Sequence, residues 1–314
     1  MTPRAPDVPG YLRDRRLAID AALETLLPAP PRCPDTLSRA MQYSLKAGGK
    51  RLRPILCLAG ADAVGGDRSV AMPAACAIEL IHTYSLIHDD LPAMDDDTMR
   101  RGQPTLHVVA GEGMAILAGD GLLTEAFHLL AREPRSGHPD VVARKLRVIA
   151  CIAEAAGALG MVGGQAIDLL NAGRALDESR APSPEPRALD AQGLSRMHAM
   201  KTGALIRAAA TSGAIMAGGE ERQIEAIDRA ATELGLAFQI VDDILDVEGG
   251  ADLGKTAGKD AAAGKLTYPA LYGLEESKRL AAACLARAET ALADGGITDP
   301  HLLAIGAWIV ERRN

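Results

Sequence analysis

Apolar residues recur at spacings of three and four through most of the chain, with polar residues between them, and long stretches are nearly free of proline. Leu37, Met41 and Leu45 set this pattern in residues 36–47. It continues through 69–90, 111–133, 140–170, 194–217, 220–247, 267–293 and 300–312, so each of these segments is predicted to be helical. Several are apolar on most sides, as expected of helices buried among other helices. Prolines cluster at 3–9, 28–34 and 182–186, and otherwise occur singly at segment edges. Gly218-Gly219 and Gly249-Gly250 read as helix stops. Residues 171–192 carry three prolines among mixed charges and read as an exposed loop within one domain spanning 1–314, because the same helical pattern continues on both sides.

Composition narrows the class. The chain has 314 residues, with 34 Lys and Arg against 41 Asp and Glu, for a net charge of −7. Hydrophobic residues make up 48%, but aromatics only 3%. An acidic chain with so few rings is poorly suited to nucleic acid, which needs positive surface or stacking platforms. It is equally poor material for sheet. An all-α protein of roughly ten or more helices is expected. Five scattered cysteines, with no CxxC pair, read as reduced thiols in helical cores. The charged, Pro-broken N-terminal stretch and the lack of about 18 uninterrupted apolar residues give the expectation of a soluble, cytoplasmic protein without a membrane span.

Two acidic clusters carry the chemistry. Asp242-Asp243-Ile-Leu-Asp246 lies in an apolar helical run, and Asp242 and Asp246, four residues apart, share one helix face. Bare carboxylates so placed repel one another and resist burial, whereas carboxylates holding a divalent cation do neither. The other cluster, Asp89-Asp90-Leu-Pro-Ala-Met-Asp95-Asp96-Asp97, closes another apolar helix. Pro92 should end that helix just past the first pair, folding Asp95 back toward Asp89. Hard oxygen ligands with space for water and phosphate suit Mg²⁺, and the glycine and closing glutamate of a calcium loop are missing after Asp95.

Basic residues accompany the acids. Gly48-Gly49-Lys50-Arg51-Leu52-Arg53-Pro54 sets three cations after a glycine pair, and Arg100-Arg101 follows the first acidic cluster. Lys201-Thr202, Lys255, Lys259 and Lys265 follow in the second half, the last three among glycines. Guanidinium forks and glycine-exposed amides are what polyphosphate oxygens require, although the spacing is not that of a Walker A loop. Metal-binding acids beside separate basic patches imply a substrate with two or more phosphates. His82 and Gln239, on the helices that end in the aspartates, are candidates to face the same cavity, and His88 adjoins Asp89.

Together these segments resemble the trans-prenyltransferases, the isoprenyl diphosphate synthases. The resemblance runs through GGKRLRP (48–54), ELIHTYSLIHDDLPAMDDDTMRRGQPTLH (79–107), GGQAIDL (163–169), KTGALIRAA (201–209), FQIVDDILD (238–246) and GKTAGKDAAAGKLTYPAL (254–271). It implies a homodimer with a deep cavity in each subunit. It also implies three Mg²⁺ ions (Mn²⁺ as a substitute) bound by Asp89, Asp95 and Asp242, with Asp90 and Asp246 in support and Asp243 a further catalytic carboxylate. Arg100, Lys201, Thr202, Gln239, Lys255 and Lys265 would hold an allylic diphosphate. Lys50, Arg53, His82 and Arg101 would hold isopentenyl diphosphate. Tyr84 and Ser85, one turn before the first aspartate, would set product length. Tyr84 is large enough to stop a C15 tail, so farnesyl diphosphate is the expected product and geranylgeranyl diphosphate the alternative. A non-catalytic regulatory subunit, expected to have lost part of this set, is the rival from another class.

Overall fold

In the computed structural model, described here over residues 7–171, 190–248 and 266–312, helices dominate as the pattern predicts. The first half comprises α1 (Val8–Leu26), α2 (Asp35–Lys46), α3 (Leu52–Ala63), α4 (Met72–Asp89), α5 (Leu106–Ala110), α6 (Glu112–Arg132) and α7 (Pro139–Ala156). It is followed by α8 (Met161–Asn171), α9 (Ala191–His198), a π turn over Ala199–Gly203, α10 (Ala204–Ala217) and α11 (Glu221–Glu248). The last three helices are α12 (Tyr268–Tyr272), α13 (Leu274–Asp294) and α14 (His301–Glu311). Among the described residues the sole sheet is a hairpin of β1 (Met99–Arg100) and β2 (Gln103–Pro104). Its turn residues Arg101 and Gly102 both have positive φ, the primed turn that suits two-residue hairpin loops.

The segment boundaries differ from the sequence pattern in identifiable ways. The predicted helix 140–170 is two helices, because Gly157 turns extended and the chain bends before resuming at Met161. The predicted 267–293 breaks at Gly273, whose φ of +79° no ordinary helical residue adopts. Helices α1 and α3 were not expected. Both contain proline, but Pro9 and Pro54 lie in the first turn, where a missing amide donor costs nothing. The predicted loop 171–192 lies mostly outside the described residues, while Asn171 ends α8 and Ala191-Gln192 open α9 under an Asp190 N-cap. Gly218 ends α10 as foreseen, in the left-handed conformation, and Gly249-Gly250 lie outside the described residues.

The core is built on α10, which packs against α3, α4, α7 and α11. Small residues make that possible. A Cβ at Gly60 would sit 2.1 Å from the Ala210 carbonyl oxygen, and one at Gly213 would sit 1.7 Å from that of Cys57. The α3 and α10 backbones therefore touch directly, and close-packed volume is reached without large rings. Three stretches, Arg68–Asp89, Glu112–Arg132 and Pro139–Asn171, are long and apolar enough by length and composition to cross a membrane. An 18-residue apolar span within the first is 67% buried inside the fold, and those within the others only 39% and 33%. Exposed Ile116, Leu117, Val142 and Leu146 lie on α6 and α7, and exposed Val108 and Val109 on α5.

Candidate active site

Helix α4 ends at Asp89, and Asp90 caps it by donating its amide to the Leu86 carbonyl at 3.1 Å. The Asp95 amide then donates to the Asp89 carbonyl at 2.8 Å, so the chain does fold back as Pro92 predicts. Asp89 has its pKa pushed up to about 6, chiefly by burial and further by Asp95 and Asp90, against the pull of Lys201 and Arg100. Asp90 is turned inward and buried. It accepts from Arg100 Nε at 2.7 Å and from Nη2 at 2.5 Å, and Arg100 also reaches Asp97 at 3.7 Å. Asp90 thus fixes Arg100, while Asp89 is left under the pull of Lys201 from the second half.

The three cations of GGKRLRP go to different places. Arg51, in the left-handed conformation (φ 50°), turns inward to Glu79 at 2.7 Å, Asp20 at 2.8 Å and the Leu45 carbonyl at 2.7 Å. Arg53, in the first turn of α3, has its Nη1 3.3 Å from His82 Nε2. A guanidinium only donates, so this ring nitrogen accepts. Burial, and then Arg53 and Arg101, hold His82 neutral with a pKa well below the ordinary histidine value. Burial also brings Arg53 down to about 10, with Arg101 adding to it while Glu79 and Asp242 oppose it. Arg101 donates to the Gly48 carbonyl and so ties the hairpin to the glycine pair. Lys50 Nζ lies 5.7 Å from the Trp308 ring centre.

In the second half, α8 and the π turn are in backbone contact. A Cβ at Gly164 would stand 2.2 Å from the Lys201 amide nitrogen, so only glycine admits this approach. Lys201 Nζ lies 2.5 Å from Asp168 Oδ2, and Thr202 is half-buried beside it. Asp242 and Asp246 lie on one face of α11, and Asp242 is 52% exposed. Arg312 Nη2 reaches Asp242 at 3.2 Å, with its guanidinium 4.2 Å over the Phe238 ring. Asp243 faces the other way. It accepts from Gln239 Nε2 at 2.9 Å and from the Tyr268 amide at 3.0 Å, which joins α11 to α12. Lys255, Lys259 and Lys265 lie outside the described residues.

Charges of the two halves reach one another, since Asp89 feels Lys201 and Arg53 feels Asp242. Sequence reasoning did not single out Glu79, Asp168, Gln165 or Arg312. The GGQAIDL segment was a signal for Asp168 and Gln165, but nothing marked Arg312 near the end of α14. Among the described residues no three carboxylate, histidine or cysteine groups form a ready-made metal cage. Mg²⁺ needs no such cage, being usually held by one or two carboxylates plus waters and substrate phosphates. A carboxylate at Asp89 that resists ionisation until about pH 6 is also one that gains from a cation. Since its pKa is raised, the charged form destabilises the metal-free fold above about pH 6, and metal must displace a proton below it. Apparent Mg²⁺ affinity should therefore fall about tenfold per pH unit below 6, as calorimetric titration would measure. Affinity unchanged between pH 7 and 5 would remove Asp89 from the metal site.

Comparison with known proteins agrees with this arrangement. Residues 34–294 match the family model described as polyprenyl synthetase. The large subunit 1 of a heterodimeric geranylgeranyl pyrophosphate synthase from Arabidopsis thaliana is 44% identical over 99% of this chain and 81% of its own. A dimethylallyltranstransferase from Fischerella ambigua is 43% identical over 98% of this chain and 84% of its own. Among solved structures, a FPP/GFPP synthase from Zymomonas mobilis superimposes with a TM-score of 0.79 at 35% identity, covering 97% of this chain and 99% of that one. On the extent of the family match and on identity at this level along nearly its whole length, the chain belongs to the polyprenyl synthetase family.

Proposed function

We propose that the protein is a Mg²⁺-dependent prenyltransferase that joins isopentenyl diphosphate to dimethylallyl or geranyl diphosphate, giving farnesyl diphosphate and diphosphate. The observation that carries this reading is that each acidic cluster lies near cations of another segment, Asp89 under the pull of Lys201, and Asp242 within 3.2 Å of Arg312 and acting on Arg53. Asp89, Asp95 and Asp242 are the metal ligands of this reading, with Asp90, Asp243 and Asp246 supporting them. When bound, Mg²⁺ supplies Lewis-acid neutralisation of the charge building on the departing diphosphate. Lys201, Thr202, Gln239 and Arg100, with Lys255 and Lys265, hold that diphosphate so that negative charge develops against fixed donors. Lys50, Arg53 and Arg101 fix isopentenyl diphosphate, and neutral His82 keeps Arg53 aimed. The alkene is thereby held in register with the allylic carbon, and a dry cleft lets it reach that carbon before water does. The released diphosphate is the base for the final proton, so no side-chain base is required.

Product length follows from packing below Asp89. Tyr84 is buried, and its ring stands edge-on to His88 at 5.7 Å, with His88 Nε2 3.1 Å from the Ile116 carbonyl of α6. Ser85 turns its hydroxyl back to the His82 carbonyl at 2.9 Å and leaves little bulk on its side. A Tyr84–His88 block between α4 and α6 supports a C15 limit. The geranylgeranyl reading has support of its own in the Arabidopsis relative, a subunit of a geranylgeranyl pyrophosphate synthase. Product analysis after incubation with labelled isopentenyl diphosphate and each allylic starter distinguishes them. The wild type should stop at C15 and Tyr84→Ala should extend to C20 or beyond. A wild-type C20 product would select the second reading, and unchanged products in Tyr84→Ala would remove Tyr84 as the floor. The exposed apolar side chains of α5, α6 and α7 support a homodimer, and a cytoplasmic location belongs to the same reading. The intact aspartate and Arg/Lys sets argue against a silent subunit.

A further inference from the structure

Helix α6 carries a glycine, Gly119, in its interior, where the backbone does not take the positive φ that calls for one. Glycine inside a helix weakens it relative to alanine, and the neighbours Ala115, Ala118 and Leu122 are fully buried. The packing gives the reason for it. A Cβ at Gly119 would stand 2.1 Å from Nε2 of His88, 2.5 Å from Cδ2 and 2.9 Å from Cε1. The His88 imidazole of α4 therefore rests directly on the α6 backbone, in a seat that only glycine leaves open. Its Nε2 also lies 3.1 Å from the Ile116 carbonyl, one turn earlier on α6. A carbonyl only accepts, so the ring N–H donates there.

His88 in turn lies one helical turn past Tyr84, and the two rings meet edge to face at 5.7 Å and 79°. Tyr84 is 6% exposed, and its hydroxyl takes no hydrogen bond among the described residues, so packing alone places its ring. We infer that His88, seated on Gly119, is a positioning residue that sets where the Tyr84 ring stands, and with it the length at which the product stops growing. The floor is then built from a contact between two helices: α6 fixes His88, and His88 backs Tyr84. With the His88 ring gone, space opens between α4 and α6 beside Tyr84, and the tyrosine can yield to a longer tail. Gly119 becomes a specificity-determining position although it lies on a different helix from the aspartates. This inference rests on the reading of Tyr84 as the floor of the product cavity.

The test incubates each variant with labelled isopentenyl diphosphate, geranyl diphosphate and Mg²⁺, measures the ratio of C20 to C15 product, and records a thermal melt beside it. His88→Ala should raise that ratio about threefold or more, the scale of one lost edge-to-face ring contact. His88→Gln keeps a donor for the Ile116 carbonyl but has no ring, and should raise it as much. Gly119→Ala leaves α4 untouched yet should shift the ratio by about the same factor. In the His88→Ala background it should add less than about twofold, since no ring is left to displace. Gly113→Ala is the control, the same change in the same helix with nothing within 4 Å of the added methyl, and should keep the wild-type ratio. A lower melt with the wild-type ratio in both His88 variants would overturn the proposal in favour of plain helix packing. A Gly119→Ala shift that persists in full without His88, or is matched by Gly113→Ala, would overturn it in favour of a direct effect of α6. If Tyr84→Ala leaves the products unchanged, the reading of Tyr84 as the floor fails. If Tyr84→Ala lengthens them and the His88 and Gly119 variants do not, only the seat fails.

Discussion

Asp89→Ala should lower turnover by about 10³-fold or more while the protein remains folded, and Asp242→Ala should do the same. The size of the effect follows from where charge develops. Leaving diphosphate gains its negative charge in the transition state, so a lost metal ligand is felt in kcat, not only in binding. The expectation of an intact fold follows from the environments of the two residues. Asp89 is a carboxylate whose pKa is raised to about 6, so removing its charge relieves the metal-free protein at pH 8. Asp242 is half exposed, and its loss leaves Arg312 with the Phe238 carbonyl at 3.3 Å and the Phe238 ring. Steady-state kinetics beside a thermal melt checks both statements. Near-normal turnover in either variant would contradict the metal assignment, and a collapsed melt for Asp89→Ala would contradict the account of its burial.

Glu79→Ala should produce the largest loss of stability. Glu79 is 2% exposed and lies 2.7 Å from Arg51, itself 7% exposed. It also offsets the charges of Arg53 and Arg101. Removing one partner of a buried pair costs about 3–5 kcal/mol, because the other charge stays behind without solvent. Asp20 and the Leu45 carbonyl still hold Arg51, which places the expected cost at the lower end of that range. The left-handed turn at Arg51 would also loosen, so the KM for isopentenyl diphosphate should rise more than that for the allylic substrate. Chemical denaturation and the two KM values measure these effects. Pairing Glu79→Leu with Arg51→Met should recover most of the stability, since a buried ion pair is often replaceable by apolar packing. Full stability in Glu79→Ala would show that Arg51 is held by Asp20 and the main chain alone.

Much of this was legible in the sequence because the chemistry is local. Pro92 forces the chain to turn after Asp89-Asp90, and a four-residue spacing puts Asp242 and Asp246 on one face whatever packs around them. The helices were legible wherever the apolar period was long and uninterrupted. It failed where a first-turn proline resembled a breaker, as at Pro9 and Pro54, and where one glycine, Gly157 or Gly273, redirected a chain whose period hardly changed. Long-range pairings were not legible. Neighbouring residues of one motif go opposite ways, Asp242 to the cleft and Asp243 to the Tyr268 amide, Arg53 to His82 and Arg51 to Glu79. Only the handedness of each turn and the identity of the packed neighbour decide that. Arg312 is the extreme case, 70 positions from Asp242 and carrying no local signal. The scarcity of aromatics gained a cause: glycine and alanine let α3 and α10 touch, which fills the core without large rings.

The most direct test of the whole account is incorporation of labelled isopentenyl diphosphate into allylic starter by the purified wild-type protein, with Mg²⁺ and then with excess chelator. The account predicts a prenyl diphosphate longer than the starter by whole five-carbon units, formed with Mg²⁺ and lost with chelator. No elongated product with any allylic starter, or elongation that persists without divalent metal, would contradict it.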